Sequence, residues 1–418
     1  MWKGACLISA VMLIMAAGNS QGAAQEPVLN GIDVLEQDRF AALNELAQKH
    51  GGHLRLAIMT NQTGVDLRGF RTIDVLMKEA AHAVPGLVVV NLFSPEHGIN
   101  GALDQAVGND RDPATGLRVI SLYGESEEQL RPTKQQLANL DAVVIDLQDA
   151  GVRFYTYQTV MGYFLEAAAG TNVDVIVLDR PNPINGTDVQ GLMSSPGREN
   201  YVNYTSEPIR HGMTMGELAT YFKNKKHLDT QLTVIRMRGW KRSDWYDATG
   251  QLWINPSPNL RSLNQATLYP GIGLLERTNL SVGRGTDTPF EWIGSPWMDA
   301  PKTVSYLNAR RIPGVRFIPV EFTPGGDYPF HGELCHGVEF VVTDRDELDA
   351  PELGLEVAAA LYKLYPDTFQ LGSIDQLLLN QAAIDALKAG EDPRAITKRG
   401  AEDLEKFKRD RAAALLYK

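Results

Sequence analysis

Four stretches in the first half of the chain are dominated by apolar and β-branched residues, and each gives way sharply to polar ones. Leu54–Thr60 is closed by Asn61-Gln62-Thr63-Gly64, and residues 87–93 by Ser94-Pro95-Glu96-His97-Gly98. Residues 141–147 are closed by Gln148-Asp149-Ala150-Gly151, and residues 173–178 by Asp179-Arg180-Pro181-Asn182-Pro183. Short apolar runs bounded by turn residues predict buried strands. Proline stops a ladder because it has no N–H to donate. Residues 71–83 and 155–169 read as helices between these strands. Strands spaced by helices of this length predict right-handed βαβ units and a parallel sheet. Thr214-Met215-Gly216-Glu217 has the spacing of a capping box and predicts a helix to about Lys225, with a further short strand over 232–237.

The texture changes at Asn255-Pro256-Ser257-Pro258-Asn259, a turn-rich break. Beyond it lie a glycine-rich stretch over 271–285, two predicted strands over 316–322 and 338–343, and two or three helices from Glu352 onward. The pattern therefore predicts an α/β chain: a Rossmann-like parallel-sheet domain over 25–259, then a smaller α+β domain over 260–418. Residues 1–24 read as a leader. Lys3 supplies a positive start, residues 5–17 an apolar core too short to span a bilayer, and Gly22-Ala23-Ala24 a small-residue cleavage site. A cleaved signal of this kind, with no lipid-attachment context at Cys6, implies a periplasmic or secreted protein.

Composition adds three constraints. At 44% apolar and 22% charged the chain is an ordinary globular protein, and 418 residues exceed one usual core. A net charge of −11 without a basic run argues against nucleic acid as a partner. Removal of the leader leaves Cys335 as the single cysteine, so no internal disulfide forms and core size must supply the stability. Cys335 itself is expected to be a small buried residue at the start of a strand.

In open α/β sheets ligands bind beyond the carboxyl ends of the strands. If the strands are parallel, Asn61, Glu96, His97, Gln148, Asp149, Asp179 and Asn182 converge there, in a crevice rich in carboxylates and poor in apolar lining. Such a site suits a polyhydroxylated substrate. Glu96 is the strongest acid/base candidate, because a general acid must hold its proton and neighbouring carboxylates favour that. His97 would orient it or bind substrate. Asp146 alternates into the strand and reads as a buried, hydrogen-bonded aspartate. Arg153, before Tyr155 and Tyr157, reads as a clamp for an anionic or ring hydroxyl group. In the second domain, Glu276, Arg277, Asn279 and Arg284 lie on a polar, glycine-rich connection that could close over the cleft, since pockets favour domain interfaces. No G-x-G-x-x-G follows a strand and no Walker A motif occurs, which argues against a dinucleotide or nucleotide cofactor. H-E-x-x-H and G-x-S-x-G are also absent, and no ligand spacing calls for a metal.

Several of these strings, taken together, resemble one family. They are Ser94-Pro95-Glu96-His97-Gly98, Asp146-Leu147-Gln148-Asp149 with Gly151 and Arg153-Phe154-Tyr155-Thr156-Tyr157, Leu178-Asp179-Arg180-Pro181-Asn182-Pro183, His211-Gly212-Met213-Thr214, Pro256-Ser257-Pro258-Asn259, and Ser281-Val282-Gly283-Arg284-Gly285-Thr286 with Pro289-Phe290. The resemblance is to the NamZ-like exo-β-N-acetylmuramidases of peptidoglycan recycling, and it runs from about Gly31 to near the end. It implies a Rossmann-like catalytic domain, a smaller C-terminal domain and an active site in the cleft between them. It implies release of terminal, non-reducing β-1,4-linked N-acetylmuramic acid from peptidoglycan fragments, with Glu96 as the catalytic residue. Where the family pattern has Glu-Gly-Thr-Asn, this chain has Glu276-Arg277-Thr278-Asn279. Arg153, Arg277 and Arg284 are available for the lactyl carboxylate of the substrate. Glycoside cleavage usually needs a second carboxylate, for which Asp149, Asp179 and Glu276 are the choices, unless the N-acetyl group assists. Two other classes use the same features. One is a metal-dependent hydrolase or esterase built on these carboxylates and His97. The other is a non-catalytic periplasmic muropeptide-binding protein.

Overall fold

Alternate residues of each central strand feed two separate cores. In the computed structural model, which describes residues 26–102 and 108–418, Leu56 and Ile58 point into one core with Val144 and Leu92. Ala57 and Met59 point into the other with Val143, Ile145 and Phe93. A sheet buried on both faces explains why its strands read as continuous apolar runs rather than as an alternating pattern. The expected leader lies outside the described residues.

The strands in chain order are β1 (Leu54–Thr60), β2 (Leu87–Ser94), β3 (Asp110–Arg111), β4 (Arg118–Ser121), β5 (Ala142–Asp146), β6 (Asp174–Leu178), β7 (Gln190–Met193), β8 (Pro208–Arg210), β9 (Gln231–Ile235), β10 (Trp292–Ser295), β11 (Val315–Phe322) and β12 (Cys335–Val342). The main sheet runs β3-β4-β2-β1-β5-β6-β9. All its pairings are parallel except the edge pair β3–β4. Leaving out that edge strand, this is the 3-2-1-4-5-6 order of a Rossmann sheet, with its switch point between β1 and β5. The helix Tyr157–Ala168 covers one face, and ten of its twelve residues are buried, so whatever stands at its N-terminus is fixed to the core.

Two predicted helices differ in detail. The segment expected over 71–83 is α-helical at Thr72–Val75 and Ala81–Ala83 but takes a π-helical turn at Leu76–Ala80. The helix expected from residue 155 begins at Tyr157, which leaves Arg153 and Tyr155 in the preceding turn. The capping box of Met215–Lys225 forms with both reciprocal bonds.

Beyond the main sheet, β10, β12 and β11 form a small antiparallel sheet with helices beside it. Cys335 is fully buried at the start of β12, and burial pushes its thiol up to about 11. The helices Leu263–Ile272 and Ala350–Leu364 cross with their backbones touching. A Cβ on Gly271 would stand 1.9 Å from the Ala350 carbonyl oxygen, and one on Gly354 2.5 Å from that of Gly271. The final residues return to the first half: the Tyr417 hydroxyl donates to Asp179 Oδ2 at 2.6 Å and Leu416 N to Glu217 Oε1 at 2.8 Å.

Candidate active site

The end of β2 turns sharply. His97 and Gly98 both take left-handed backbone angles, φ 71° and 74°, and Gly98 N donates to the Pro95 carbonyl at 3.0 Å. A left-handed histidine is uncommon, and such conformations gather at functional sites. The turn presents Glu96 and His97, both half-buried, to a cavity of about 280 Å³. That is near the lower end for ligand pockets and suits one sugar ring.

Residues from both halves of the chain line this cavity. From the first come Glu96, His97, Tyr123, Phe154, Tyr155, Thr156 and Tyr201. From the second come Tyr269, Glu276, Arg277, Arg284, Phe290 and Leu377, with Ser257 and Asn259 from the segment between. The Thr156 hydroxyl donates to Glu96 Oε2 at 2.7 Å. Glu276 follows a single 3-10 turn, Gly273–Leu275, at the end of Leu263–Ile272, so the touching-helix crossing fixes its approach. Its two carboxylate oxygens each lie 3.8 Å from a guanidinium, Oε1 from Arg277 Nε and Oε2 from Arg284 Nη1. Arg284 also stacks on Tyr328, 4.7 Å from the ring centroid. One wall is aromatic. Phe154, Tyr155, Tyr269 and Phe290 meet edge to face, with centroid separations of 4.7 to 6.4 Å. Burial pushes the hydroxyls of Tyr155, Tyr201 and Tyr269 well above the ordinary tyrosine range, so they remain protonated donors. The cavity thus combines polar groups with an aromatic wall that the strand ends did not suggest.

The strand ends converge, but several of the expected site residues are consumed by each other. Arg180 and Asp146 form a buried ion pair, Nε to Oδ1 at 2.5 Å and Nη2 to Oδ2 at 3.0 Å, and Thr72 also donates to that carboxylate. Asn61 donates to the Tyr157 hydroxyl, which donates to the Pro256 carbonyl; it also accepts from Thr63. Gln148 donates to the carbonyls of Asp149 and Pro181, and Asn182 to that of Met213. Gly151, at φ 79°, lets the chain pass Asn182, where a Cβ would stand 2.4 Å from Oδ1. These bonds consume the polar side chains at the β1/β5 switch point, where a smaller cavity of about 150 Å³ is lined by Thr63, Gln148 and Arg180, while the cavity that holds Glu96 opens beyond β2.

Four further expectations need correction. Arg153 does not reach the cavity. It is wholly buried, and its guanidinium donates to the carbonyls of Leu192, Glu207, Leu377 and Leu378 at 2.7 to 3.2 Å. It ties the two halves together rather than clamping substrate. Asp179 is buried at the foot of Met215–Lys225, where it accepts from Thr214, Gly216 N and Tyr417; burial pushes it up to about 6. Asp149 is buried behind the cavity, accepting from Gly151 N at 2.7 Å with His211 Nε2 3.6 Å away. Asn279 spends its amide on Thr368 O and Gln370 N. The site thus gathers Glu96, His97, Tyr155, Glu276 and Arg284 of the expected residues, and not Asn61, Gln148, Asp149, Arg153, Asp179, Asn182 or Asn279. Tyr123, Tyr201 and Tyr269 also line the cavity, and as lone tyrosines far apart in sequence they carry no local signal. Among the described residues, no group of three or more His, Cys, Asp or Glu could hold a metal ion.

Comparison with known proteins points one way. The profile described as exo-β-N-acetylmuramidase NamZ, N-terminal, matches residues 56–264, and its C-terminal counterpart matches 267–417. The peptidoglycan β-N-acetylmuramidase NamZ of Bacillus subtilis (strain 168) is 36% identical over 404 residues, covering 95% of this chain and 93% of that protein. Crystal structures of two DUF1343-family proteins of Bacteroides fragilis superpose with TM-scores of 0.82 and 0.73, at 32% and 27% identity, each covering 94% of this chain and 99% of its own.

Proposed function

Because the chain belongs to the NamZ family of exo-β-N-acetylmuramidases, we propose that Glu96 is its general acid and Glu276 the second carboxylate. The chain is a peptidoglycan glycosidase releasing terminal N-acetylmuramic acid. One observation carries the assignment of residues: among the described residues, Glu96 and Glu276 are the two carboxylates lining the one-sugar cavity, and they come from different halves of the chain.

Each role follows from local chemistry. Hydrolysis of a glycoside needs a proton on the leaving oxygen and a carboxylate to direct water or attack the anomeric carbon. Glu276, flanked by Arg277 and Arg284, is electrostatically supported as an anion, which suits the second task. The same guanidiniums offer a site for the lactyl carboxylate. Phe154, Tyr155, Tyr269 and Phe290 supply the aromatic surface on which a sugar face packs. A small cavity accepts one terminal residue, in keeping with exo cleavage of muramic-acid-terminated disaccharides and muropeptides. The sequence of residues 1–24, read as a cleaved leader, supports a periplasmic or secreted location.

The test uses a muramic-acid-terminated disaccharide, whose sugar leaving group needs a proton. Wild type is expected to release N-acetylmuramic acid in the presence of chelator, and Glu96→Gln to lose about 10²- to 10⁴-fold in kcat. Near-wild-type turnover by Glu96→Gln would remove Glu96 from the mechanism.

A further inference from the structure

Thr156 stands at the N-cap of Tyr157–Ala168, where threonine normally accepts a hydrogen bond from the first turn of its own helix. It makes no such bond. Its backbone is already helical, φ −72° and ψ −15°, rather than extended as at most N-caps. The side chain is β-branched, so its χ1 is stiff, and the residue is buried. The hydroxyl instead donates to Glu96 Oε2 at 2.7 Å. Among the described residues Glu96 Oε1 has no hydrogen-bond partner, and Glu96 lines the cavity.

We propose that Thr156 is a positioning residue that decides which oxygen of Glu96 carries the transferable proton. The inference rests on Glu96 being the general acid. A protonated carboxyl has one O–H donor, and its other oxygen can only accept. With Oε2 occupied as acceptor by the Thr156 hydroxyl, the proton resides on Oε1, the oxygen free to meet substrate. In the acid step that proton passes from Oε1 to the glycosidic oxygen. The bond from the anomeric carbon to that oxygen breaks, the leaving alcohol keeps the bonding electron pair, and Glu96 is left as a carboxylate. Tyr157–Ala168 is held by the core, so the anchor does not drift with the loop that bears Glu96. An N-cap position whose side chain ignores its own helix thus serves the neighbouring strand end.

Acid assistance matters most when the leaving group is poor. Kinetics of Thr156→Val, which keeps the shape and removes the hydroxyl, are compared with Thr156→Ser on two substrates. One is the 4-nitrophenyl β-glycoside of N-acetylmuramic acid, the other the disaccharide whose leaving group is a sugar hydroxyl. The expected result is a kcat loss of about tenfold or more on the disaccharide and about threefold or less on the nitrophenyl glycoside, with KM unchanged. Thr156→Ser restores the disaccharide rate. In a Glu96→Gln background, Thr156→Val costs nothing further. Equal losses on both substrates, a raised KM alone, or failure of serine to rescue would overturn the inference. If Glu96→Gln is inactive on the disaccharide while Thr156→Val matches wild type, only the role of Thr156 falls. If Glu96→Gln stays active on the disaccharide, the assignment of Glu96 falls with it.

Discussion

Arg153 donates from Nη2 to the carbonyl of Leu377 at 2.7 Å, joining residues 224 positions apart. Leu377 lines the cavity that holds Glu96, and Arg153 is buried behind it. The same guanidinium holds Leu378, Leu192 and Glu207 by their carbonyls, and burial lowers its proton affinity to a pKa of about 10, still charged at neutral pH. Its planar fork serves four acceptors that one ammonium cannot. Arg153→Lys is therefore expected to lose about 3 kcal/mol or more, because buried carbonyls are left unpaired. A thermal melt of Arg153→Lys checks this. A melting temperature equal to that of wild type would contradict the tether.

Three carboxylates competed for the second catalytic role, and their surroundings separate them. Glu276→Gln is expected to lower kcat by about 10² or more with a near-native melting temperature. Asp149→Asn and Asp179→Asn are expected to cost stability first, since each accepts buried backbone or hydroxyl donors. Parallel kinetics and melts of the three variants check the ordering. An unchanged kcat for Glu276→Gln would hand the role to the acetamido group of the substrate.

The sequence announced the strands well and their polar ends poorly. β1 falls on its apolar run residue for residue, and the other main-sheet strands expected from the sequence within a residue or two at each end, because burial on both faces forces continuous apolarity. Polar residues at a strand end look alike whether they face a cavity or one another. Asn61, Asp146, Gln148 and Asn182 satisfy buried partners that only the register brings together, such as Thr60 opposite Asp146. Arg153 misled for the same reason: its acceptors are carbonyls, which sequence does not distinguish. β10 escaped notice because four residues with a glycine and a serine make no apolar run. Glu96 was legible because a proline stop places it beyond the sheet, where nothing of the switch-point network reaches its Oε1.

Arg284 should discriminate muramic acid from its analogue without the lactyl group. Its side chain is 29% exposed, lines the cavity and is braced by Tyr328 and Glu276. A charge-assisted bond to the lactyl carboxylate is worth about 1.5–3 kcal/mol. Arg284→Met is thus expected to raise KM for the N-acetylmuramic acid glycoside by about 10- to 100-fold and to leave that for the N-acetylglucosamine glycoside nearly unchanged. Equal effects on both substrates would place the carboxylate elsewhere.

Glu207 gives stability a pH dependence of known sign. Its side chain is fully buried and accepts from Thr205 Oγ1 at 2.8 Å. Burial pushes its pKa from the ordinary 4.5 up to about 7, with His211 and Arg153 only partly offsetting the shift. Between those values the native state keeps a proton that the unfolded chain has released. The contribution of Glu207 is therefore greatest below about pH 4.5 and is lost as pH rises to about 7, a change on the order of 3 kcal/mol. Glu207→Gln keeps an acceptor for Thr205 and cannot ionise. Its melting temperature, taken relative to wild type, is expected to rise steadily from pH 4.5 to 7 and then level off. A difference that stays constant across that range would show that Glu207 is not buried with its proton.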